Sequence, residues 1–276
     1  MDKKLKIALA QLNPLVGDVS GNIDKLISIR AGLKDDVDIL VAPELYVSGY
    51  PIDDLVLRED FLNLVEKEIN KLADSTKDKK SAIIVGAPRK DNNSIKNSVF
   101  VIENGKIISI KDKYELPNTG VFDEQRIFKQ GSLEDCVDIK GVKFGLPICE
   151  DIWEKTVLEK LSKSGAEIII AINASPFTVS KNEEREIVTK LRVDETKLPI
   201  VYLNRTGGQD ELIFDGSSFA LNHDGKKFYN SSEFKEETAQ ISFQKTNGKW
   251  AGQGNLNNNS SSTERLYKAL VLGLRD

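Results

Sequence analysis

The feature that most constrains the fold is a repeated alternation of short aliphatic runs with longer segments of helical periodicity. The aliphatic runs cover residues 7–12, 39–42, 82–87, 142–148, 167–172 and 200–203. The helical segments cover residues 22–33, 61–72, 156–164 and 182–197. Aliphatic strands separated by amphipathic helices indicate an α/β protein in which helices cover the sheets.

Tight turns between other strand-like runs indicate that the sheets are mixed rather than purely parallel. Asn104-Gly105 separates residues 97–103 from residues 106–111, and an Asn-Gly pair between two such runs predicts a β-hairpin. Lys140-Gly141 and Asp224-Gly225 also join strand-like runs. On the helix predicted at residues 182–197, we expect Ile187, Val188 and Leu191 to face inward.

The end of the sequence differs in composition from the rest. Residues 255–262 read NLNNNSSS, a polar linker, and residues 263–274 form a short amphipathic pattern with Leu266, Leu270 and Leu274. We therefore divide the chain into a domain at residues 1–254 and a linker with a connecting helix at residues 255–276. An exposed apolar face on that helix would indicate a partner or a further domain.

The scarce residues exclude several kinds of chemistry. The chain has a single histidine, His223, which lies in a predicted hairpin turn where we expect it to be exposed and inactive. Two cysteines, Cys136 and Cys149, are too few for a zinc site or a disulfide framework. A net charge of −4 argues against nucleic acid or anionic membranes as partners. No targeting or membrane-spanning segment is evident, so we expect a cytoplasmic protein.

Cys149 is a candidate nucleophile because it follows a predicted strand directly, and a strand-end turn exposes a side chain while freeing a backbone N–H. The alternative is a small buried hydrophobic residue, which is the usual role of a free cysteine. Glu150 and Asp151 follow it, and their negative charges disfavour a thiolate. A reactive Cys149 would therefore need a nearby cation or a base.

Other polar residues also stand at strand ends. Glu44 follows the run at residues 39–42, where burial suits a general base, although a cap or an ion pair is the alternative. Lys113 lies just past the predicted hairpin, where a lysine is ordinarily a solvated surface residue. Ser175 and Lys181 follow the run at residues 167–172 and could bind a carboxylate or simply cap the next helix.

Glu44, Lys113 and Cys149, in this order at three successive strand ends, resemble the Glu–Lys–Cys triad of the nitrilase (carbon–nitrogen hydrolase) superfamily. The resemblance covers roughly residues 4–245, and its motifs are APELYVSGYP, KYELPNTGVFDEQRIF and LPICEDIW. GYPIDDLVLR, LPNTGVFDEQRIF and NRTGGQDELIFDGSS are similar to one branch, the glutaminase domains of glutamine-dependent NAD+ synthetases. The resemblance implies a four-layer α-β-β-α sandwich.

The resemblance also implies an activity, the hydrolysis of L-glutamine to glutamate and ammonia. Cys149 would attack the side-chain amide, and Glu44 would act as the base. Lys113 and the backbone N–H of Glu150 would stabilise the oxyanion. Glu124 matches a fourth active-site residue that positions the lysine and the substrate.

The same resemblance implies a set of substrate-binding residues, namely Tyr50, Thr119, Glu150, Trp153, Ser175 and Lys181. Ser175 and Lys181 would bind the α-carboxylate of glutamine, and Glu150 would bind its α-ammonium. Tyr50 and Trp153 would form walls of the pocket. Thr119 departs from the branch, which usually has tyrosine there, and its presence removes a ring and a hydrogen bond from the pocket.

Glutamine hydrolysis of this kind needs no metal and no organic cofactor. ATP and Mg²⁺ are expected only in a synthetase domain, in cis or in trans, whose SGGxDS pyrophosphate loop does not occur in this sequence. Members of the superfamily usually form oligomers, so a homo-oligomer is expected. Two alternatives stay open: a stand-alone amidase acting on another ω-amide, nitrile or N-carbamoyl compound, and a non-catalytic binding module.

Overall fold

The computed structural model describes residues 3–258 and 260–276. The first two residues of the predicted domain and Asn259 in the predicted linker lie outside the described residues. At the centre of the fold are two β-sheets. The larger has seven strands, in the spatial order β15 (Lys249–Gln253), β14 (Glu237–Thr246), β1 (Lys4–Gln11), β2 (Ile39–Val41), β3 (Ala82–Asp91), β4 (Ser94–Glu103) and β5 (Lys106–Asp112).

The second sheet has six strands, in the order β13 (Lys227–Asn230), β12 (Phe219–Leu221), β9 (Ile200–Asn204), β8 (Ile168–Asn173), β7 (Val142–Gly145) and β6 (Val137–Ile139). A separate hairpin pairs β10 (Thr206–Gln209) with β11 (Leu212–Asp215). Strands β1, β2 and β3 are parallel, as are β7, β8 and β9. The remaining pairs are antiparallel, so both sheets are mixed, as the turn signals predict.

Within the described residues, six α-helices accompany the sheets: α1 (Val19–Ala31), α2 (Glu59–Asp74), α3 (Glu124–Ile127), α4 (Lys155–Lys163), α5 (Lys181–Thr196) and α6 (Ser262–Arg275). Short 3₁₀ turns cover Asp53–Leu57, Ser75–Asp78 and Cys149–Ile152. Among the helices of the described residues, none is long and apolar enough to cross a membrane.

Alternating side chains along the strands build three hydrophobic layers. Ile7 and Leu9 of β1 pack in the layer between the two sheets, whereas Ala8 and Ala10 pack under α1 and α2. On the other side, Ile169 of β8 packs with residues of α4. Both faces of the central strands are buried, which explains their nearly continuous aliphatic sequences. The result is the expected four-layer α-β-β-α sandwich.

Local features both confirm and correct the expectations. The hairpin at Asn104-Gly105 is confirmed, and both residues have positive φ angles, 53° and 79°. Strand β7 ends earlier than predicted, at Gly145, although Ile148 still forms an isolated bridge to Ile172. His223 is half-buried rather than exposed.

The expected orientation of α5 is wrong. Ile187 and Leu191 are 61% and 50% exposed, and the helix instead buries Arg185, Thr189 and Val193. The physical reason is the nature of the surface beneath the helix. Near the start of the helix, Arg185 donates hydrogen bonds to backbone carbonyls and to a buried carboxylate. Further along the same side, Val193 packs in an apolar cluster with Ile200 and Leu221, so polar and apolar partners share the buried side of α5.

Helix α6 packs against the domain through one side. Ala269 and Leu272 are buried in a small cluster with Phe177, Ile213 and Phe234. The three leucines that mark the amphipathic pattern, Leu266, Leu270 and Leu274, are exposed. The helix therefore has an exposed apolar face in addition to the face that contacts the domain.

Candidate active site

Three strand ends bring Glu44, Lys113 and Cys149 together in the interior. Glu44 follows β2, Lys113 directly follows β5, and Cys149 begins the 3₁₀ turn after β7. Their exposed fractions are 1%, 1% and 3%, respectively. The three residues that the family resemblance groups as a triad therefore lie in one buried cluster.

The carboxylate of Glu44 is held by three donors. Its Oε1 accepts hydrogen bonds from Lys113 Nζ at 2.8 Å and from Asn97 Nδ2 at 2.8 Å. Its Oε2 accepts from the backbone N–H of Ala174 at 2.8 Å. These contacts join both sheets at the carboxylate. They give Glu44 one orientation, which a general base requires.

Lys113 lies between two carboxylates. Its Nζ is 2.8 Å from Glu44 Oε1 and 2.9 Å from either oxygen of Glu124. Burial alone would lower the pKa of Lys113, but Glu124 and Glu44 raise it well above its ordinary value, so the ammonium stays charged. Burial raises the pKa of Glu124 to about 7, against the opposing effect of Lys113.

Cys149 has an unusual backbone conformation. Its φ is +45°, in the left-handed region that a residue with a Cβ adopts only at a cost in strain. Burial raises the pKa of the Cys149 thiol well above its ordinary value, Glu44 adds to the effect, and Lys113 opposes it. The resting thiol is therefore protonated and needs a base to become a nucleophile.

Asp151 connects the turn at Cys149 to the loop that follows Lys113. Its Oδ1 accepts from the backbone N–H groups of Tyr114 and Glu115 at 3.1 and 2.7 Å, and its Oδ2 accepts from Ile148 N at 2.9 Å. Burial raises the pKa of this carboxyl to about 7, although the three N–H donors favour its ionised form. Sequence reasoning treated Asp151 only as an unfavourable charge and missed this structural role.

A second missed residue is Gly86 in β3. A Cβ there would lie 2.4 Å from Leu45 N, 2.6 Å from Pro43 O and 2.7 Å from Glu44 Cα. Only glycine permits this close approach of the strand to the loop that carries the base. Asn97 was also missed, since its donor role depends on a partner 53 residues away.

Most predicted substrate residues lie around the triad. Glu150 is half-buried next to Cys149, and burial raises its pKa while Lys113 and Lys181 oppose the rise. Lys181 Nζ lies 4.0 Å from the ring centroid of Trp153. Ser175 is buried at the start of the loop before α5, where its N–H donates to Asn204 Oδ1 at 2.9 Å.

Tyr50 and Thr119 lie in different environments. Tyr50 is buried, and its hydroxyl donates to Glu124 Oε1 at 3.3 Å, which places the ring beside the lysine. Thr119 is exposed on the loop before α3, where its carbonyl accepts from Phe122 N at 3.2 Å. The structure thus joins Tyr50 to the triad and leaves Thr119 at the surface.

Among the described residues, no group of three or more histidine, cysteine, aspartate or glutamate side chains is arranged to hold a metal ion. The chemistry that the cluster itself provides is a thiol, a buried carboxylate base and a charged ammonium. Such a set can form and resolve a thioester. The sandwich and this triad define a hydrolase of carbon–nitrogen bonds, and the chain belongs to the carbon–nitrogen hydrolase family, whose model matches residues 6–251.

Within the family, the chain is similar to glutamine-dependent NAD(+) synthetases. It is 36% identical to the enzyme of Rhodobacter capsulatus over 100% of this chain and 50% of the relative. It is 33% identical to that of Aquifex aeolicus over 99% of this chain and 53% of the relative. The chain thus spans about half the length of the curated relatives it matches.

Solved structures agree with this similarity. The glutamine-dependent NAD+ synthetase of Acinetobacter baumannii, solved with adenosine diphosphate, matches with a TM-score of 0.91 and 33% identity, over 99% of this chain and 52% of that one. A carbon–nitrogen hydrolase from Helicobacter pylori G27 matches with a TM-score of 0.76 and 19% identity, over 99% and 95% of the two chains. The second match shows the shared fold.

Proposed function

We propose that this chain hydrolyses L-glutamine to glutamate and ammonia. The observation that carries the proposal is the buried cluster of Cys149, Glu44 and Lys113, in which a base and a permanent cation surround a thiol. Similarity to glutamine-dependent NAD(+) synthetases over the whole chain supports glutamine as the amide. Ser175 and Lys181 beside the cluster would bind the α-carboxylate, and Glu150 would bind the α-ammonium.

The first half of the proposed reaction forms a thioester. Glu44 takes the proton of the Cys149 thiol as the sulfur attacks the side-chain amide carbon of glutamine. The oxyanion that develops is stabilised by the Lys113 ammonium and the backbone N–H of Glu150, and one such donor contributes on the order of 10²–10³ in rate. Protonated Glu44 then passes its proton to the leaving nitrogen, which departs as ammonia.

The second half hydrolyses the γ-glutamyl thioester. Glu44, again ionised, takes a proton from a water molecule that attacks the thioester carbon, and Lys113 again stabilises the oxyanion. Collapse of this intermediate breaks the carbon–sulfur bond, returns the proton to sulfur and releases glutamate. Glu124 and Tyr50 keep the lysine in place through both steps, because Lys113 Nζ and the Tyr50 hydroxyl both donate to Glu124.

We further propose that the ammonia serves a synthetase domain, in cis or in trans, that amidates deamido-NAD to NAD. ATP and Mg²⁺ would act in that domain, and the glutaminase half would need no metal or organic cofactor. We also propose that the chain forms a homo-oligomer. It is supported by the exposed Ile187 and Leu191 on α5 and by exposed Leu270 on α6.

The direct test is glutamate release from L-glutamine by the wild-type chain and by Cys149→Ala. We expect the substitution to reduce the rate at least about a thousandfold. Cys136→Ala is the matched control, because Cys136 is a free thiol that donates to Ser164 O at 3.2 Å, away from the triad. Activity that survives in Cys149→Ala would contradict the mechanism.

A substrate panel tests the specificity. L-Glutamine should be hydrolysed in preference to simple aliphatic amides, nitriles and N-carbamoyl amino acids. A preference for one of the latter would indicate a stand-alone amidase with the same triad. A Cys149 that reacts with iodoacetamide no faster than an unfolded thiol, together with no hydrolysis of any amide, would instead indicate a binding module.

A further inference from the structure

A line of buried charged side chains connects the Ser175 loop to α6. Its first member is Arg185 on α5, which is 1% exposed. Arg185 Nε donates to Ser175 Oγ at 3.1 Å, and Nη2 donates to the carbonyls of Ser175 and Pro176 at 2.7 and 2.9 Å. Its Nη1 donates to Asp215 Oδ1 at 2.8 Å. One guanidinium thus holds both the hydroxyl and the backbone of Ser175.

Asp215, at the end of β11, continues the line. Its Oδ2 accepts from Ser217 Oγ at 2.7 Å and from Arg265 Nη2 at 3.4 Å. Arg265 belongs to α6 and is 7% exposed. The Nε of Arg265 is 2.8 Å from Glu233 Oε1, and its guanidinium lies 5.5 Å from the ring centroid of Phe177.

The stability of this line depends on all four of its charged side chains, which are Arg185, Asp215, Arg265 and Glu233. Two arginines and two carboxylates balance in charge, and each is almost removed from water. A buried charge is tolerated only when it is paired, so removing one member leaves its neighbour uncompensated. Without Arg265, the Oδ2 atom of Asp215 would lose its cationic partner and keep only the hydroxyl of Ser217. The carboxylate of Asp215 could then change its position relative to the guanidinium of Arg185.

We propose that Arg265 is a positioning residue for the substrate-carboxylate subsite, acting through Asp215 and Arg185 on Ser175. The proposal rests on the proposed glutamine hydrolysis. The Ser175 hydroxyl accepts from Arg185 Nε, and the buried Tyr202 hydroxyl lies beside it. Because the bond from Arg185 leaves the serine proton to donate, a substrate carboxylate can accept it in competition with Tyr202. Arg265 does not touch the substrate. It makes the affinity for the carboxylate depend on where α6 lies.

The exposed face of α6 is a surface at which a contact could change the position of the helix, and with it the affinity for the substrate carboxylate. Leu270 and Leu274 project away from the domain on the same helix that carries Arg265 inward. A contact that shifted α6 would move the guanidinium relative to Asp215. The structure thus provides a physical route by which an event at the helix surface alters substrate affinity. The Glu44–Lys113–Cys149 cluster meets this route at Ala174, whose N–H donates to Glu44, and is otherwise anchored by Asn97 and Glu124.

The test compares two substrates in Arg265→Met, Arg265→Lys and the control Arg275→Met. Arg275 lies on the same helix with its side chain 64% exposed. The substrates are L-glutamine and 4-aminobutanamide, which has the same amide and amine but lacks the α-carboxylate. We expect Arg265→Met to raise KM for glutamine about tenfold, the order expected for losing a hydrogen bond to a charged group. Its kcat, and kcat/KM for 4-aminobutanamide, should change by less than about twofold.

The controls separate positioning from general damage. Arg265→Lys should recover part of the glutamine affinity, because it restores a cation near Asp215, and Arg275→Met should behave as wild type. Equal losses on both substrates, or an unchanged preference for glutamine in Arg265→Met, would overturn the proposal. If Arg265→Met fails to fold, as judged by near-UV circular dichroism, Asp215→Asn decides in the same assay. A wild-type chain without preference for glutamine would instead overturn the proposed function.

Discussion

The contact between Asp151 and three backbone N–H groups leads to a quantitative prediction for Asp151→Asn. An asparagine fits the same space and keeps one carbonyl oxygen, which can still accept from Tyr114 N and Glu115 N. Its amide nitrogen must then face Ile148 N, a donor that now bonds Asp151 Oδ2 at 2.9 Å. The opposite orientation of the amide would sacrifice two hydrogen bonds rather than one, so this orientation is preferred.

The cost follows from one buried N–H without a partner. Asp151 is 3% exposed, so water does not replace the lost acceptor, and an unsatisfied buried donor costs about 1–3 kcal/mol. Ile148 directly precedes Cys149, so its displacement moves the nucleophile. A misplacement near 1 Å reduces catalysis about a hundredfold, and we expect kcat to fall between about tenfold and a hundredfold.

Urea unfolding and steady-state glutaminase kinetics measure these two effects. Asp138→Asn is the matched control, since Asp138 is exposed and accepts a single backbone hydrogen bond from Gly141 N at 2.8 Å. We expect that control to lie within about 0.5 kcal/mol of wild type, with unchanged kcat. Wild-type kcat together with a wild-type unfolding midpoint in Asp151→Asn would refute the argument that this carboxylate holds the nucleophile turn.

Three further predictions concern the base and its surroundings. Gly86→Ala would place a methyl against the backbone of Glu44, so we expect kcat/KM to fall about a hundredfold, whereas Gly32→Ala, whose Cβ has no neighbour closer than 3.6 Å, should keep it. Asn97→Ala removes one donor to Glu44, and we expect kcat, measured by glutamate release, to fall about tenfold. Burial raises the pKa of Glu124 from 4.5 to about 7, so the folded state binds this proton more tightly than the unfolded state. Its contribution to stability is therefore lost as the pH rises from about 4.5 through about 7, and Glu124→Gln should flatten that part of the urea-midpoint profile. If the urea midpoint of Glu124→Gln depended on pH in the same way as that of the wild type, the prediction for Glu124 would be wrong.

The triad could be identified from the sequence because the motifs APELYVSGYP, KYELPNTGVFDEQRIF and LPICEDIW resemble those of a known superfamily. Position at strand ends made Glu44, Lys113 and Cys149 candidates but left a purely structural role open for each. The role of Asp151 could not be found in this way. Its partners, Tyr114 and Glu115, are 37 and 36 residues away, and only the packing of one loop against another brings them together.

The periodicity of α5 shows where pattern analysis fails for a physical reason. Apolar periodicity predicts the buried face of a helix only when the surface it covers is apolar. The first part of α5 covers the loop that follows β8, where the carbonyls of Ser175 and Pro176 and the carboxylate of Asp215 need donors. Arg185 supplies them from the inner face, so Ile187 stays outside. The same rotation of the helix that places Arg185 on Ser175 therefore also leaves Ile187 and Leu191 on the protein surface, so substitutions at these two positions should leave the hydrogen bonds of Ser175 intact.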